Sequence, residues 1–303
     1  MPVFSGFGTV IGLGKESTYG TSVARARWLD VNGTTLTQTA RKRTARAALA
    51  KTKAFVESRF VTDNEVGGAV TLPAGYSGLG LLFEAALGAV SGAGPYTFAT
   101  ATTLPSLTIE QLVGNSGNSE LYAGVKVNTA TLTVTPGGEV TWAFDLIGTT
   151  KGASGSAGTP SMATPTPIEA YEVAVTYGGT AVTLLRDLTL TLSNNLERRQ
   201  RIGSLNTAEP LFSGPREVMV TSAVDKQAFS NRTTELADGA ANLVITITDT
   251  ATGAKTIVIT VSCLLKSEEQ IGTTFGALSD ALSFESVGLP TIVVTNGEAT
   301  YDV

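Results

Sequence analysis

Five carboxylates lie on or beside alternating runs, where a reacting pair could share one surface: Glu139, Asp145, Asp187, Glu217 and Asp225. Two such groups at a suitable separation would serve glycoside hydrolysis, one as acid and the other as base or nucleophile. Nothing in their spacing selects catalysis, and a solvated or charged functional face fits these strand positions as well. A second feature, Gly6-Phe7-Gly8-Thr9-Val10-Ile11-Gly12, has the spacing GxGxxxG. Only five residues precede it, too few for the strand that leads into a dinucleotide loop, so it reads as an extended arm, with a short strand possible around Gly8–Leu13. The 303 residues include no histidine and a single cysteine, Cys263. That excludes a Ser-His-Asp triad, a Cys-His pair, imidazole ligation of a metal, an intrachain disulfide and a CxxC redox pair. Neither an enzyme nor a cofactor is expected. Cys263, within an apolar alternating run, reads as a small buried hydrophobe.

Charge is unevenly spread. Residues 41–53 hold Arg41, Lys42, Arg43, Arg46, Lys51 and Lys53 and no acid. Taking those six from a formal net charge of −5 leaves −11 on the rest of the chain. The run has no interleaved aromatics, so base stacking is unsupported. It reads as a solvated loop or as a contact to an acidic neighbour. The chain as a whole is not drawn to nucleic acid. No stretch of 18 apolar residues exists, so no membrane span is expected. The start, Met1-Pro2-Val3-Phe4-Ser5-Gly6, shows no secretory signal pattern.

The elements that must position these groups are mostly strands. Hydrophobic residues make up 42% and charged ones 16%, with 46 threonines and 33 glycines against 3 methionines, a balance that favours strands and turns. One segment has a helical period. Leu79, Leu82, Phe83, Ala86 and Leu87 recur at helical spacing and Gly88 suits a C-cap, which predicts an amphipathic helix over Gly75–Gly88 packed on a sheet. Thr129, Thr131, Thr133 and Thr135 alternate with Ala130, Leu132 and Val134, followed by a Pro136-Gly137-Gly138 turn. The return run alternates Glu139, Thr141, Ala143 and Asp145 with Val140, Trp142, Phe144 and Leu146. That is a hairpin with one apolar face and one threonine/acid face. The runs Asp187–Ser193 and Glu217–Asp225 look like a second copy of this unit, giving a pseudo-symmetric pair of hairpins in one sheet. Leu243–Thr248, Lys255–Leu265, Ala281–Val287 and Thr291–Thr295 supply further strands, and residues 151–167 read as a flexible loop. A Thr-rich face keeps strand propensity while staying wettable; in a barrel it would make an apolar-out, hydrophilic-in wall.

The order of local motifs resembles the tail tube (major tail) proteins of long-tailed bacteriophages. The carrying residues are Lys15-Glu16-Ser17-Thr18-Tyr19-Gly20-Thr21, then the helix ending in Ala85-Ala86-Leu87-Gly88, then Pro95-Tyr96-Thr97-Phe98. Leu104-Pro105-Ser106-Leu107-Thr108-Ile109-Glu110 follows, then Gly137-Gly138-Glu139-Val140, and finally Leu188 through Glu197 with its Asn194-Asn195 pair. The resemblance implies a mostly β subunit, a β-sandwich or partial barrel with long amphipathic hairpins and one flanking helix. Residues 1–60 would be an N-terminal arm and basic loop, and 61–303 the tube domain. It implies six-fold (hexameric) rings, inner hairpins joined into one channel wall, and stacking of rings into a tube that passes genomic DNA without binding it. On that reading Glu139, Asp145, Asp187, Glu217 and Asp225 line the lumen, and Arg41, Lys42, Arg43 and Arg46 contact the next ring. The implied partners are other copies of the chain, a tape measure protein, tail initiator or baseplate proteins and a terminator. The place is the virion tail, assembled in the bacterial host cytoplasm. The alternative class is an extracellular β-sandwich adhesin or carbohydrate-binding module.

Overall fold

The computed structural model describes residues 8–44, 59–113, 118–152, 159–162, 166–225, 239–271, 279–288 and 290–297. The first part of the chain forms β1 (Val10–Lys15), β2 (Arg27–Asp30), β3 (Gly33–Thr34), β4 (Thr37–Thr44) and β5 (Arg59–Pro73). Helix α1 (Gly80–Leu87) follows, then β6 (Gly88–Ser91), β7 (Tyr96–Thr100), β8 (Leu107–Val113), β9 (Asn118–Val134), β10 (Thr141–Gly148) and β11 (Thr150–Lys151). After a 3-10 turn (Ala170–Glu172) come β12 (Val173–Tyr177), β13 (Thr180–Val182), β14 (Leu188–Ser193), β15 (Leu196–Arg199) and β16 (Ala208–Phe212). The last strands are β17 (Glu217–Asp225), β18 (Ala241–Thr248), β19 (Thr256–Ile271), β20 (Ser279–Ser286) and β21 (Thr291–Thr295).

Among the described residues, nineteen strands join into one continuous antiparallel sheet that does not close into a barrel, and β15 and β16 pair only with each other. The long strands β9 and β19 divide it into three parts. A front sheet runs β4–β5–β10–β9–β14–β17–β20–β19, using the second halves of β9 and β19. A back sheet runs β13–β12–β18–β19–β21–β7–β6 through the first half of β19. A side sheet, β2–β1–β8–β9–β11, uses the first half of β9. Alternation explains the layering. Ala130, Leu132, Trp142, Phe144, Leu190, Leu192, Val218 and Val220 turn inward from the front sheet, to meet Ile245, Ile257, Ile259, Ile292 and Phe98 of the back sheet in one core. Their polar neighbours turn the other way.

The predicted helix forms over Gly80–Leu87, shorter at its start than the sequence suggested, and Gly88 caps it with φ 115°. It is not amphipathic. All of Leu81–Leu87 is buried, including Glu84, because α1 lies between the sheets rather than on them. Phe83 stacks edge-on against Trp142 of the front sheet at 5.2 Å and Phe98 of the back sheet at 5.7 Å. Lys15 reaches over from β1 to pair with Glu84 at 2.7 Å. The short strand expected as possible around Gly8–Leu13 forms as β1, which is paired on both sides, with Ile11 and Leu13 buried. The basic segment expected as a loop begins as a strand, with Arg41, Lys42 and Arg43 opposite Asp63, Val61 and Phe60 across the β4–β5 hairpin. Arg46, Lys51 and Lys53 lie outside the described residues, as does most of 151–167.

The two hairpins that look alike in sequence do lie side by side, β9 pairing directly with β14. They are not, however, equivalent parts. The first half of the chain arranges β2–β1–β8–β9 and, from the end of the same β9, β9–β10–β5–β4. The second half arranges β13–β12–β18–β19 and, from the end of β19, β19–β20–β17–β14. Even the bulges coincide: Asn128 is the extra residue of β9 opposite Asp145/Leu146, and Lys266 the extra residue of β19 opposite Ser283/Phe284. The fold is a tandem repeat in which β4–β5 matches β14–β17 and β9–β10 matches β19–β20.

Candidate functional site

The outward face of the front sheet is rich in hydroxyls. One row across the strands reads Pro73, Thr141, Thr133, Thr189, Thr221, Ser283. The next reads Thr71, Ala143, Thr131, Thr191, Met219, Glu285, Leu264. A third reads Ala69, Asp145, Thr129, Ser193, Glu217. Period-two alternation puts these side chains together, and the apolar partners at every other position hold the face flat against the core. The hydroxyls of Thr131 and Thr191 approach to 3.5 Å across the β9–β14 joint.

The sequence-selected acids separate into three places. Asp145 and Glu217 are exposed in the same row, Asp145 accepting from Asn128 Nδ2 at 3.3 Å. Three strand steps lie between them, roughly 14 Å, beyond the ~9.5 Å at which two carboxyls cooperate in glycoside hydrolysis. Asp187 and Asp225 sit at the far end of β14 and β17, where Asp187 accepts from the Ala223 N–H at 2.6 Å and Asp225 is ion-paired with Arg186. Glu139 lies in the turn before β10 and accepts from Asn32 Nδ2 at 2.7 Å. Sequence reading missed Glu285, which joins this face beside Met219 and pairs with Lys266 at 3.1 Å.

Elsewhere the polar groups tie elements together. Glu16 is buried and accepts four hydrogen bonds, from Gly20 N–H (2.9 Å), Ser106 Oγ (2.7 Å), Thr108 Oγ1 (2.9 Å) and Gly124 N–H (2.9 Å). The 15–21 motif therefore clamps β1, β8 and β9. Arg216, which the sequence gave no reason to select, closes the C-terminal end of α1. It donates to Ala86 O (2.7 Å), Leu87 O (3.1 Å), Ala101 O (3.2 Å) and Asn194 Oδ1 (2.7 Å). Burial pulls its guanidinium pKa down to about 10. Cys263 is buried as expected, and burial pushes its thiol up to about 11, which leaves it inert at neutral pH.

Among the described residues no group of three or more His, Cys, Asp or Glu could hold a metal ion, and no helix is long and apolar enough to cross a membrane. A cavity of about 20 Å³ between Phe83, Trp142, Leu190 and Ile259 has room for about one water. Basic Arg41, Lys42 and Arg43 occupy the sheet-edge strand β4. A family model described as phage tail tube protein matches residues 6–286. Among curated proteins, no match is found.

Proposed function

The chain belongs to the phage tail tube protein family, a structural component of the virion tail, and from that premise we propose that its hydroxyl face is the channel wall of the tube. Copies join side by side into rings, their front sheets forming one cylinder, and the rings stack into a conduit for DNA in a long-tailed phage. The observation that carries this reading is the threonine- and serine-rich face that runs across the front sheet, with the core behind it.

The chemistry suits passage without retention. Hydroxyls hold water but offer no net charge for phosphates to exchange counterions against, so sliding DNA gains no electrostatic adhesion. Asp145 and Glu217 add sparse negative charge that repels phosphate. The cations beside this surface, Lys266 and Arg186, are already paired with acids. The lumen is thus threonine-lined with scattered acids rather than densely acidic. Assembly in the host cytoplasm with a tape measure protein, an initiator or baseplate and a terminator belongs to the same proposal. Family membership replaces the adhesin alternative.

Charge reversal tests the wall. Phage carrying Asp145→Lys with Glu217→Lys should build tails of normal length, since both side chains are exposed and off the core. DNA release should slow and recover with added salt. Unchanged release at low salt would remove these residues from the channel.

A further inference from the structure

The front sheet ends in two open edges. Among the described residues, β4 pairs only with β5 on one side, and β19 beyond Cys263 only with β20. Open edges this long invite pairing with another chain. The tandem repeat supplies the answer to what covers them, because the molecule already contains one copy of the joint. Inside the chain, one edge strand of the first repeat's front half, β9, pairs with the opposite edge strand of the second's, β14. The open edges belong to the corresponding strands: β19 is the edge of the second repeat's front half and β4 the opposite edge of the first's.

Resting on the tube reading, we propose that β19 of one copy pairs with β4 of a second copy in the register of the internal β9–β14 joint. Each chain then fills two positions of the ring, and a ring of six repeats is closed by three chains. The register follows residue by residue. Thr37 lies opposite Gly67 and Thr191 opposite Met219; Gly67 and Met219 lie opposite Ile147 and Glu285, so Thr37 matches Thr191. Leu36-Thr37-Gln38-Thr39 and Leu190-Thr191-Leu192-Ser193 echo each other in sequence at these positions. Counting from the bulges at Asn128 and Lys266, Thr131 matches Glu269. The internal pair Thr191–Thr131 therefore becomes Thr37–Glu269 between copies, with Thr39 opposite Ser267.

Charge does not set this register. Glu268 and Glu269 of β19 face Gln38 and Thr37, whereas Arg41, Lys42 and Arg43 of β4 lie beyond Thr39, where the matched pairing ends. The basic run that the sequence suggested for stacking rings thus continues the strand that makes the lateral joint. Closure geometry agrees with the pairing. A row followed across the joint from Thr131 through Thr191, Met219 and Glu285 reaches Leu264, the match of Lys126. That is a stagger of four register steps per four strands, the bulge apart. One step per strand is the ratio at which an eight-stranded barrel of shear 8 tilts by ~36°. Three chains give about 24 strands and a cylinder about 40 Å across the backbone; six chains would double it.

The test is a disulfide across the joint. Directly opposed residues on antiparallel strands lie within the span of a disulfide. Tubes of the full chain carrying T37C and E269C on a C263A background are oxidised and run on a non-reducing gel. The expected ladder is monomer, dimer and trimer with nothing larger, and neither single-cysteine variant cross-links. Intact tubes without cross-links overturn the pairing. A ladder continuing to six overturns the three-chain ring. Should the double variant not assemble, averaged end-on images of wild-type rings decide: three-fold symmetry with a wall near 40 Å supports the inference, and strict six-fold symmetry overturns it. If wild type forms no ring or tube even with tail initiator proteins, it is the tube reading that has failed.

Discussion

Glu16 is the residue that ties the side sheet together. Its carboxylate satisfies two backbone N–H groups and two hydroxyls that β1, β8, β9 and the 17–21 turn would otherwise bury without partners. Hydrogen bonds to a charged group contribute ~1.5–3 kcal/mol each, and an orphaned buried N–H costs ~1–3 kcal/mol. Glu16→Ala should therefore destabilise the subunit by about 3 kcal/mol or more, and Glu16→Gln by less, read from urea unfolding midpoints. A loss under ~0.5 kcal/mol for the alanine variant would show that water replaces the carboxylate and that the clamp has no structural weight. Such a cluster cannot be seen in sequence, where Glu16, Ser106 and Gly124 are far apart, although the motif 15–21 marked where to look.

Elements were legible where alternation is local. The Thr129–Thr135 and Thr141–Asp145 runs predict β9 and β10 with the right faces because a period of two fixes the side on which each residue lies. The helix was placed by its apolar spacing, but its burial was not, since nothing local says that β1 and Lys15 cover Glu84. Similar turns make β9–β10 and β14–β17 look equivalent in sequence, whereas equivalence is set by long-range pairing. Another long-range tie is Glu172. It joins the 3-10 turn to the β18–β19 connection by accepting from Thr250 N–H (3.0 Å) and Oγ1 (3.1 Å), and to Tyr76 Oη at 3.0 Å. Burial alone would raise its pKa, but the hydrogen bonds from Thr250, Glu169 and Tyr76 outweigh it and hold the carboxyl below its ordinary value. A depressed folded pKa adds stability above the ordinary carboxylate pKa of ~4.3 and loses it as pH falls through the folded value. Melting temperature should drop more steeply below pH 5 for wild type than for Glu172→Gln. Parallel curves would show that Glu172 takes no part in acid sensitivity.

At the scale of the molecule, the tandem repeat, the two open edges and the hydroxyl face act together. A chain with one repeat would present the same two edges for half the wall, so fusing two repeats halves the number of joints that association must form. Ordering and translational losses are then incurred at fewer interfaces per ring. A heterologous joint between unlike edges closes into a ring when its rotation permits, and the one-step stagger per strand provides that rotation. Stacking surfaces remain for the connections at the two ends of the strands. Among these, the β15–β16 hairpin exposes Ile202 fully at its tip while Arg198 anchors it to Glu65 at 3.2 Å and to Val66 O at 2.7 Å. The measurement that bears most directly on the central claim is a cryo-electron microscopy reconstruction of the wild-type tube. The account predicts front sheets joined into the inner wall, with Thr131, Thr191 and Thr221 facing the channel. A reconstruction with that face on the outside of the tube, or packed between rings, would contradict it.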